Sequence, residues 1–553
     1  VLLPFFILSQ NYFGHYWSNL YTTEDFLDSL QVSKNYMADQ NLYIRERIFD
    51  MWIGDWNKTN ENWEWQSHTV NDSVIYTPIV IDRNHAFTKV DGVLFKQMLK
   101  MLSLDFICNY DSLILKDTKK INKLAFALDM AVAGRSDESV WIRQAQEIRK
   151  QMTDSLIDSA FTYLPEGVKH DEIELIKQKL KRRRLELEAV ASQYYRLLQR
   201  TPVVAGTNQS DYFLIERQAP DRTILRIYDP ETGDCRLEQQ FSGKETKELW
   251  LYGLAGNDTF EVKGNTRKDF PIYLISGEGE NQYQLNHSRK IHVYDKDYKY
   301  DYQKIKYHKI SFTPWGIYDS DKGISLGTFF TYTMYGFKRA PFTYQHRIGY
   351  NYLKGFMYAG VFPNYDGRRR LYLNASISSP RNFENFFGFG NNTAGYKEEK
   401  KNYNRVKLRT YMLNPSFEMD LRKEEVVTFF GSLDMYKAKR TDDRYIYTVY
   451  GEDHPIFRTN YFVGLGATYR ITKQPYSWLP LLETEWTAGW KMNLKKPERN
   501  FPYAQGSLSW NVRFSDRFTW ASLMKGTVLF DNDYEFYQAA TIDLRGFRDN
   551  RFI

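Results

Sequence analysis

The period of the hydrophobic pattern changes twice along the chain. Over residues 1–200 apolar positions recur at helical spacing. Thr22-Thr23-Glu24-Asp25 has the form of a capping box ahead of Phe26, Leu27 and Leu30. The spacing predicts a helix over Asn41–Trp52, with Leu42, Ile44, Ile48, Phe49 and Trp52 near one face. It predicts a second from Trp141 to Phe161, carrying Ile142, Ala145, Ile148, Met152, Leu156 and Ala160. A third runs from Asp171 to Arg200 through Ile173, Ile176, Leu180, Leu187, Val190, Tyr194 and Leu197. The run Lys179-Leu180-Lys181-Arg182-Arg183-Arg184 on that helix reads as a solvated face rather than a phosphate or lipid site.

From residue 201 the period drops to two. Tyr212–Glu216, Thr223–Tyr228 and Glu248–Tyr252 are short strands between Gly, Asp and Pro turns, and they predict a small all-β module over 201–302. After residue 303 strand candidates lengthen to about ten residues, the length that crosses a bilayer on a tilt. Tyr461, Val463, Leu465, Ala467, Tyr469 and Ile471 alternate with Phe462, Gly464, Gly466, Thr468 and Arg470. Leu508, Trp510, Val512 and Phe514 behave alike, as do Leu371, Leu373, Ala375 and Ile377. Aromatic residues recur near strand ends, as interfacial girdles require. Some connections are tight; others, such as Lys397–Asn404 and Thr441–Arg458, are long and charged. Together these features predict an antiparallel transmembrane β-barrel over 303–553, with roughly a dozen strands in view. Asp549–Ile553 does not resemble a closing strand, and an open edge finds no partners in lipid, so further strands are expected beyond Ile553. The chain begins without Met, and the apolar Val1–Leu8 is too short to span and lacks a basic n-region, so a longer gene product is expected. The fold class is thus multidomain α+β: a helical region 1–200, a β module 201–302 and a barrel 303–553.

Composition sharpens this picture. There are 42 Tyr, 37 Phe and 13 Trp, 17% of residues, in a chain whose mean hydropathy is only −0.59. That combination is odd for a soluble enzyme and ordinary for strands greasy on one face and polar on the other. Seventy-five basic against 68 acidic side chains leave a charge of +7, too diffuse for a dedicated nucleic-acid binder. Cys108 and Cys235 form no CxxC pair, which excludes a thiolate zinc site; they pair in an oxidising compartment or remain free buried thiols.

Thr541-Ile542-Asp543-Leu544-Arg545-Gly546-Phe547-Arg548 resembles the R-G-F/Y signature of the BamA/TamA superfamily of outer-membrane barrels (the bacterial surface antigen type). The resemblance implies that Arg545, Gly546 and Phe547 lie at the tip of a loop folded into the lumen of a sixteen-stranded barrel. It places the acidic partner of Arg545 on a later strand. Asn385-Phe386-Phe387-Gly388-Phe389-Gly390 is similar to a segment common in these barrels. Ile48–Trp63 and Thr77–Phe87 resemble segments of outer-membrane proteins in which a calcineurin-like phosphoesterase domain precedes a helical region, a β module and a BamA-like barrel. No metallophosphoesterase motif set occurs here, so any such enzyme would lie upstream. The same segments resemble the catalytic and metal-binding loops of HipA-like kinases: Asn57 falls at the base position, Thr59 at the His position, and Asn62 and Asp82 at metal-ligand positions. Asn cannot act as a general base, so a degenerate helical fold packed by Trp52, Trp56, Trp63 and Trp65 is the expectation.

In the β module, Gly253-Leu254-Ala255-Gly256-Asn257-Asp258 resembles the G-G-x-G-x-D calcium repeat, with an eroded second copy at Ser276–Tyr283. Asn257 and Asp258 are therefore calcium candidates, and tight β-turns are the plainer reading. His15 and His85 read as hydrogen-bonding residues rather than ligands or bases. No cofactor is expected. The leading functional expectation is a barrel acting in outer-membrane protein assembly or export. Outer-membrane lipid, unfolded or exported polypeptides and accessory periplasmic or lipoprotein subunits are the expected partners, and the N-terminal domains are expected in the periplasm. A passive barrel anchor for an upstream phosphoesterase and a kinase-like phosphotransferase are the alternatives.

Overall fold

The computed structural model describes residues 19–90, 92–101, 104–164, 170–265, 269–286, 289–294, 298–319, 323–339, 341–364, 367–390, 402–441, 443–473, 482–515, 518–532 and 534–541. The chain divides into two compact units, Val1–Tyr307 and His308–Ile553.

In the first unit the helix predicted over Asn41–Trp52 runs over Gln40–Ile53. Asp39 caps its start by accepting the Leu42 N–H, and Gly54, left-handed at φ 79°, ends it. Two other helices break where the sequence reading ran them on. Glu138–Gln151 is followed by a separate helix, Asp154–Ala160, because the Thr153 side chain accepts the Leu156 N–H and caps a new start. His170–Arg184 and Leu187–Leu198 part at Glu186, whose carboxylate instead accepts the Ile114 N–H at 2.9 Å. The region is also not wholly helical. β1 (Leu20–Thr22), β2 (Tyr36–Ala38), β3 (Trp63–Val70) and β4 (Ser73–Val80) form a sheet in the order β1-β3-β4-β2. Trp63 and Trp65 on β3 are buried on one face, Trp65 stacked on Phe26 at 3.7 Å.

The β module is a coil of parallel strands. β5 (Val203–Ala205), β9 (Leu249–Tyr252), β11 (Ile272–Ile275) and β13 (Ile291–Tyr294) make one parallel sheet. β6 (Tyr212–Gln218), β10 (Thr259–Gly264) and β12 (Gln282–Leu285) make the other, extended antiparallel by β7 (Arg222–Tyr228) and β8 (Cys235–Ser242). From β9 onward the chain alternates between the two sheets, and Phe213, Leu251, Phe260, Val262, Ile272 and Leu274 fill the space between them with no exposure. Helical region and β module belong to one unit: Lys34 pairs with Asp229 at 3.2 Å and donates to the Ser210 carbonyl, and Gln239 donates to the Gly134 carbonyl.

The second unit is a twelve-stranded antiparallel meander. Its strands are β14 (Lys309–Asp319), β15 (Gly323–Met334), β16 (Tyr344–Asn351), β17 (Gly355–Pro363), β18 (Arg369–Ser378), β19 (Phe383–Asn385), β20 (Arg405–Arg422), β21 (Glu425–Ala438), β22 (Asn460–Lys473), β23 (Leu482–Asn493), β24 (Asn500–Ser515) and β25 (Phe518–Leu529). Neighbours in sequence are neighbours in the sheet, except that β19 pairs only with β20. Among the described residues no pairing joins β14 to β25.

Register sorts the side chains. Opposed residues share a face, so Phe312, Phe330, Ile348, Tyr358 and Ala375 line one row across five strands. Leu413, Leu433 and Val463 continue that face. The other face carries Thr331, Arg347, Asn374, Asn414, Asp434 and Lys491. The apolar face is bare: Ile324 is 69% exposed, Leu465 62% and Phe356 57%. The ends of β18 at Ser378, β21 at Ala438 and the start of β22 at Asn460 lie at one end of the sheet, and the tight turn 423–424 lies at the other.

Candidate functional site

Of the kinase-like positions, Asn62 and Asp82 meet, while Asn57 bonds Asp55 instead. Helix Gln40–Ile53 aligns Glu46, Arg47 and Asp50 on one flank, and the loop after Gly54 brings in Asp55, Lys58 and Asn62. Lys58, buried, donates to Asp55 Oδ2 and to the Asp82 carbonyl, with Asp50 at 3.8 Å. Arg83 bonds Asp50 at 2.8 Å and also Glu46. Burial, with Asp50 beside it, raises the Asp55 pKa. Asn62 spends its Oδ1 on the Thr59 N–H and hydroxyl, at 2.8 and 3.0 Å, and aims its Nδ2 at Asp82 Oδ2 at 3.5 Å. The other Asp82 oxygen accepts the Asn84 N–H at 2.7 Å. Asn57 turns its N–H to Asp55 Oδ1 at 3.3 Å. A magnesium ion needs oxygens such as Asn62 Oδ1 and both of Asp82; here they accept protein hydrogens and tie loop to sheet. No cluster of three or more metal-type side chains occurs among the described residues.

A deeper network was invisible in the sequence. Asp129, with no exposure, accepts from the Tyr43 and Tyr194 hydroxyls at 2.7 and 2.5 Å and from Arg47 at 2.8 Å. Arg47 also reaches Asn122 and Asp50. The basic run 179–184 is not a solvated face throughout. Arg183 is 3% exposed and donates to the Met51 and Trp52 carbonyls, at 2.6 and 2.7 Å, capping the end of helix Gln40–Ile53. Lys179 donates to the Tyr110 carbonyl, and Arg184 pairs with Asp154. His85 packs against Trp56 at 4.6 Å, and its carbonyl accepts from Thr88; His15 lies outside the described residues. Cys108 is half-buried and Cys235 exposed, both free, so the expectation of two buried thiols fails at Cys235, whose strand ends the sheet.

In the β module the turns leading from one sheet into the other stack on one another. The Asp211 N–H donates to Asp258 Oδ1, and the Asp258 N–H donates to Asn281 Oδ1, each at 2.9 Å. A second rail runs beside it: Asn257 N–H to Ser210 Oγ at 3.1 Å and Glu280 N–H to Asn257 Oδ1 at 2.9 Å. Both calcium candidates, Asn257 and Asp258, thus serve as rungs. Asp258 Oδ2 is buried with no hydrogen-bond partner among the described residues, and burial pushes the Asp258 pKa up to about 8. A Cβ on Gly253 would come within 2.2 Å of that oxygen and 2.5 Å of the Ser276 carbonyl, so only Gly fits there. Calcium takes six to eight oxygens, and the rung oxygens here already accept backbone N–H groups.

On the polar face of the large sheet, Glu418 gathers Arg370 at 2.7 Å, Tyr372 at 3.0 Å and Arg470 at 3.3 Å, while Arg370 also pairs with Asp420. Lys491 pairs with the buried Asp434 at 2.8 Å. Beside that pair lies a cavity of about 390 Å³ lined by Asn374, Asn414, Ser416 and Tyr503. In the segment around Asn385, Phe386 and Phe387 are wholly buried. Arg545, Gly546 and Phe547 lie outside the described residues.

No family model matches the chain, and no curated protein matches it. Among solved structures, the crystal structure of BamA from Haemophilus ducreyi lacking POTRA domains 1-3 is similar to it, with a TM-score of 0.31 and 12% identity over 46% of this chain. The match spans 47% of the BamA chain.

Proposed function

We propose that this protein is a BamA-like outer-membrane β-barrel protein acting on other polypeptides in outer-membrane protein assembly or export. One observation carries the membrane reading: the bare apolar face that runs unbroken across the long strands of the second unit. Its large side chains present on the order of 1,000 Å² or more of apolar surface, against the few hundred typical of a soluble monomer. At ~25 cal/mol/Å², leaving such a face in water costs on the order of 25 kcal/mol. Lipid removes that cost, and a polar, ion-paired opposite face is what the interior of a membrane barrel offers. No helix among the described residues is long and apolar enough to cross a membrane. The role in assembly or export rests on the Arg545-Gly546-Phe547 resemblance. The first unit, with its kinase-like oxygens engaged in protein hydrogen bonds, serves as a scaffold rather than a phosphotransferase.

Two experiments test this. Release of the protein from membranes by carbonate or high salt, without detergent, would remove the barrel reading. Proteoliposomes containing the protein should speed the insertion of an unfolded outer-membrane protein. An unchanged insertion rate, with the protein stably embedded, would leave the passive anchor instead.

A further inference from the structure

In the first unit the helix Val93–Met101 is amphipathic in sequence. At helical spacing Leu94, Phe95, Met98, Leu99 and Met101 fall on one side, and Lys96, Gln97 and Lys100 on the other. A helix of this pattern normally packs its apolar side inward. Among its described side chains only Leu99 is buried, while Phe95 is 46% exposed and Met98 45%. The protein holds one edge of the apolar side and leaves Phe95 and Met98 to the surroundings.

Charge and position point to what covers them. The helix has two lysines and no acidic residue, which suits an anionic surface. Lysines on one side with Phe, Leu and Met on the other is the composition of helices that lie in the plane of a bilayer surface. The first unit is also tethered close to lipid if β14 spans it. Tyr307 packs on Phe126 at 3.9 Å, and only His308 separates Tyr307 from the start of β14. So short a helix would bind a vesicle weakly by itself, but a tether of this kind raises its effective concentration at the membrane.

We infer that helix Val93–Met101 seats the first unit on the anionic surface of the bilayer, with Phe95 and Met98 among the acyl chains and the lysines drawn to the headgroups. The inference rests on the membrane-barrel reading.

The test uses the intact protein in vesicles of phosphatidylethanolamine and phosphatidylglycerol, with Cys108→Ser and Cys235→Ser removing the native thiols. Phe95→Cys, Lys96→Cys, Met98→Cys and Leu465→Cys variants each carry one NBD label, and spin-labelled lipid is the quencher. Heat-modifiable mobility on gels checks that each barrel has assembled. Labels at Phe95 and Met98 should lose their emission as the Leu465 label does, and the label at Lys96 should keep it. Exchange of phosphatidylglycerol for phosphatidylcholine should lower the ratio of seated to free helix roughly fivefold for each lysine. Quenching at Leu465 with none at Phe95 and Met98 overturns the seating and leaves the barrel standing. A blue-shifted but unquenched label at Phe95 also overturns it, because protein and not lipid then covers the helix. Quenching at Lys96 equal to that at Phe95, or quenching indifferent to phosphatidylglycerol, overturns the assignment of faces or of anionic lipid. An unquenched Leu465 label removes the membrane reading itself.

Discussion

Replacing Asp258 by Asn should stabilise the β module, and by an amount that grows with pH. Asp258 needs Oδ1 as acceptor for the Asp211 N–H, but its buried Oδ2 has no donor among the described residues. A neutral acid tolerates that setting and a carboxylate does not, which is why its pKa rises to about 8. The unfolded chain ionises near ~3.9. Below that value both states hold the proton, and the stability of the native state is at its full value. Between the two pKa values the unfolded state has lost its proton and the native state has kept it, so stability falls by about 1.4 kcal/mol per pH unit. Over the roughly three units from the unfolded value to neutrality the loss approaches 4 kcal/mol, an upper limit because relaxation and water entry reduce it. An amide has no such ionisation and keeps the oxygen rung. Asn281 is already an amide one coil further on. Pulse proteolysis of the intact protein across pH 4 to 8 measures this directly. The wild-type module should weaken as pH rises, and Asp258→Asn should flatten the slope and lie above it at pH 8. An Asp258→Asn protein less stable than wild type at pH 8 would show that the carboxylate is held as an anion, and the reasoning would fail.

Leu254 occupies left-handed backbone at φ 76°, where the next coil has Gly277 at φ 74°; Leu254→Gly should gain about 1 kcal/mol in urea unfolding. Asp129→Ala strands the buried Arg47 and two tyrosine hydroxyls, and should cost about 3–5 kcal/mol in the same assay. On the large sheet, Leu465→Arg places a charge on the apolar face and should cost about 2–4 kcal/mol of membrane assembly. Gln505→Arg, on the polar face opposite Thr487 and Thr527, should assemble normally by heat-modifiable mobility. Equal assembly of the two variants would contradict the assignment of faces.

The large sheet was legible because a period of two carries its own answer: each alternating set named from the sequence, such as Tyr461 to Ile471, lies on the apolar face. Local signals missed where tertiary contacts recruited a residue. Thr153 carried a readable cap signal inside an apparent helix, but Glu186 left its helix to bond a loop 72 residues away. Arg183 looked like one cation among several, and only the arrival of another helix's carbonyl end makes it a cap. The kinase resemblance singled out Asn62 and Asp82 as ligand positions but not the contact between them, and Arg47–Asp129 joins segments with no motif between them. The two turn copies were read from Gly253–Asp258 and Ser276–Tyr283. The third member of the stack, Gly206–Asp211, shares so little with them that its place shows only in space.

The rails through those turns also set how the β module can change length. Successive rungs from Asp258 to Asn281 and from Asn257 to Glu280 lie 23 residues apart, but Asp211 to Asp258 spans 47, because the β7–β8 hairpin is spliced into the first coil. That hairpin turns the sheet antiparallel beside β6, so no parallel coil can be added on its flank. Growth of this stack is therefore quantised and one-directional. Insertions of a whole coil beyond Asn281 preserve every rung, whereas a fractional insertion puts a side chain where a rung oxygen must be. Gene duplication in units of about one coil is the evolutionary step this architecture tolerates.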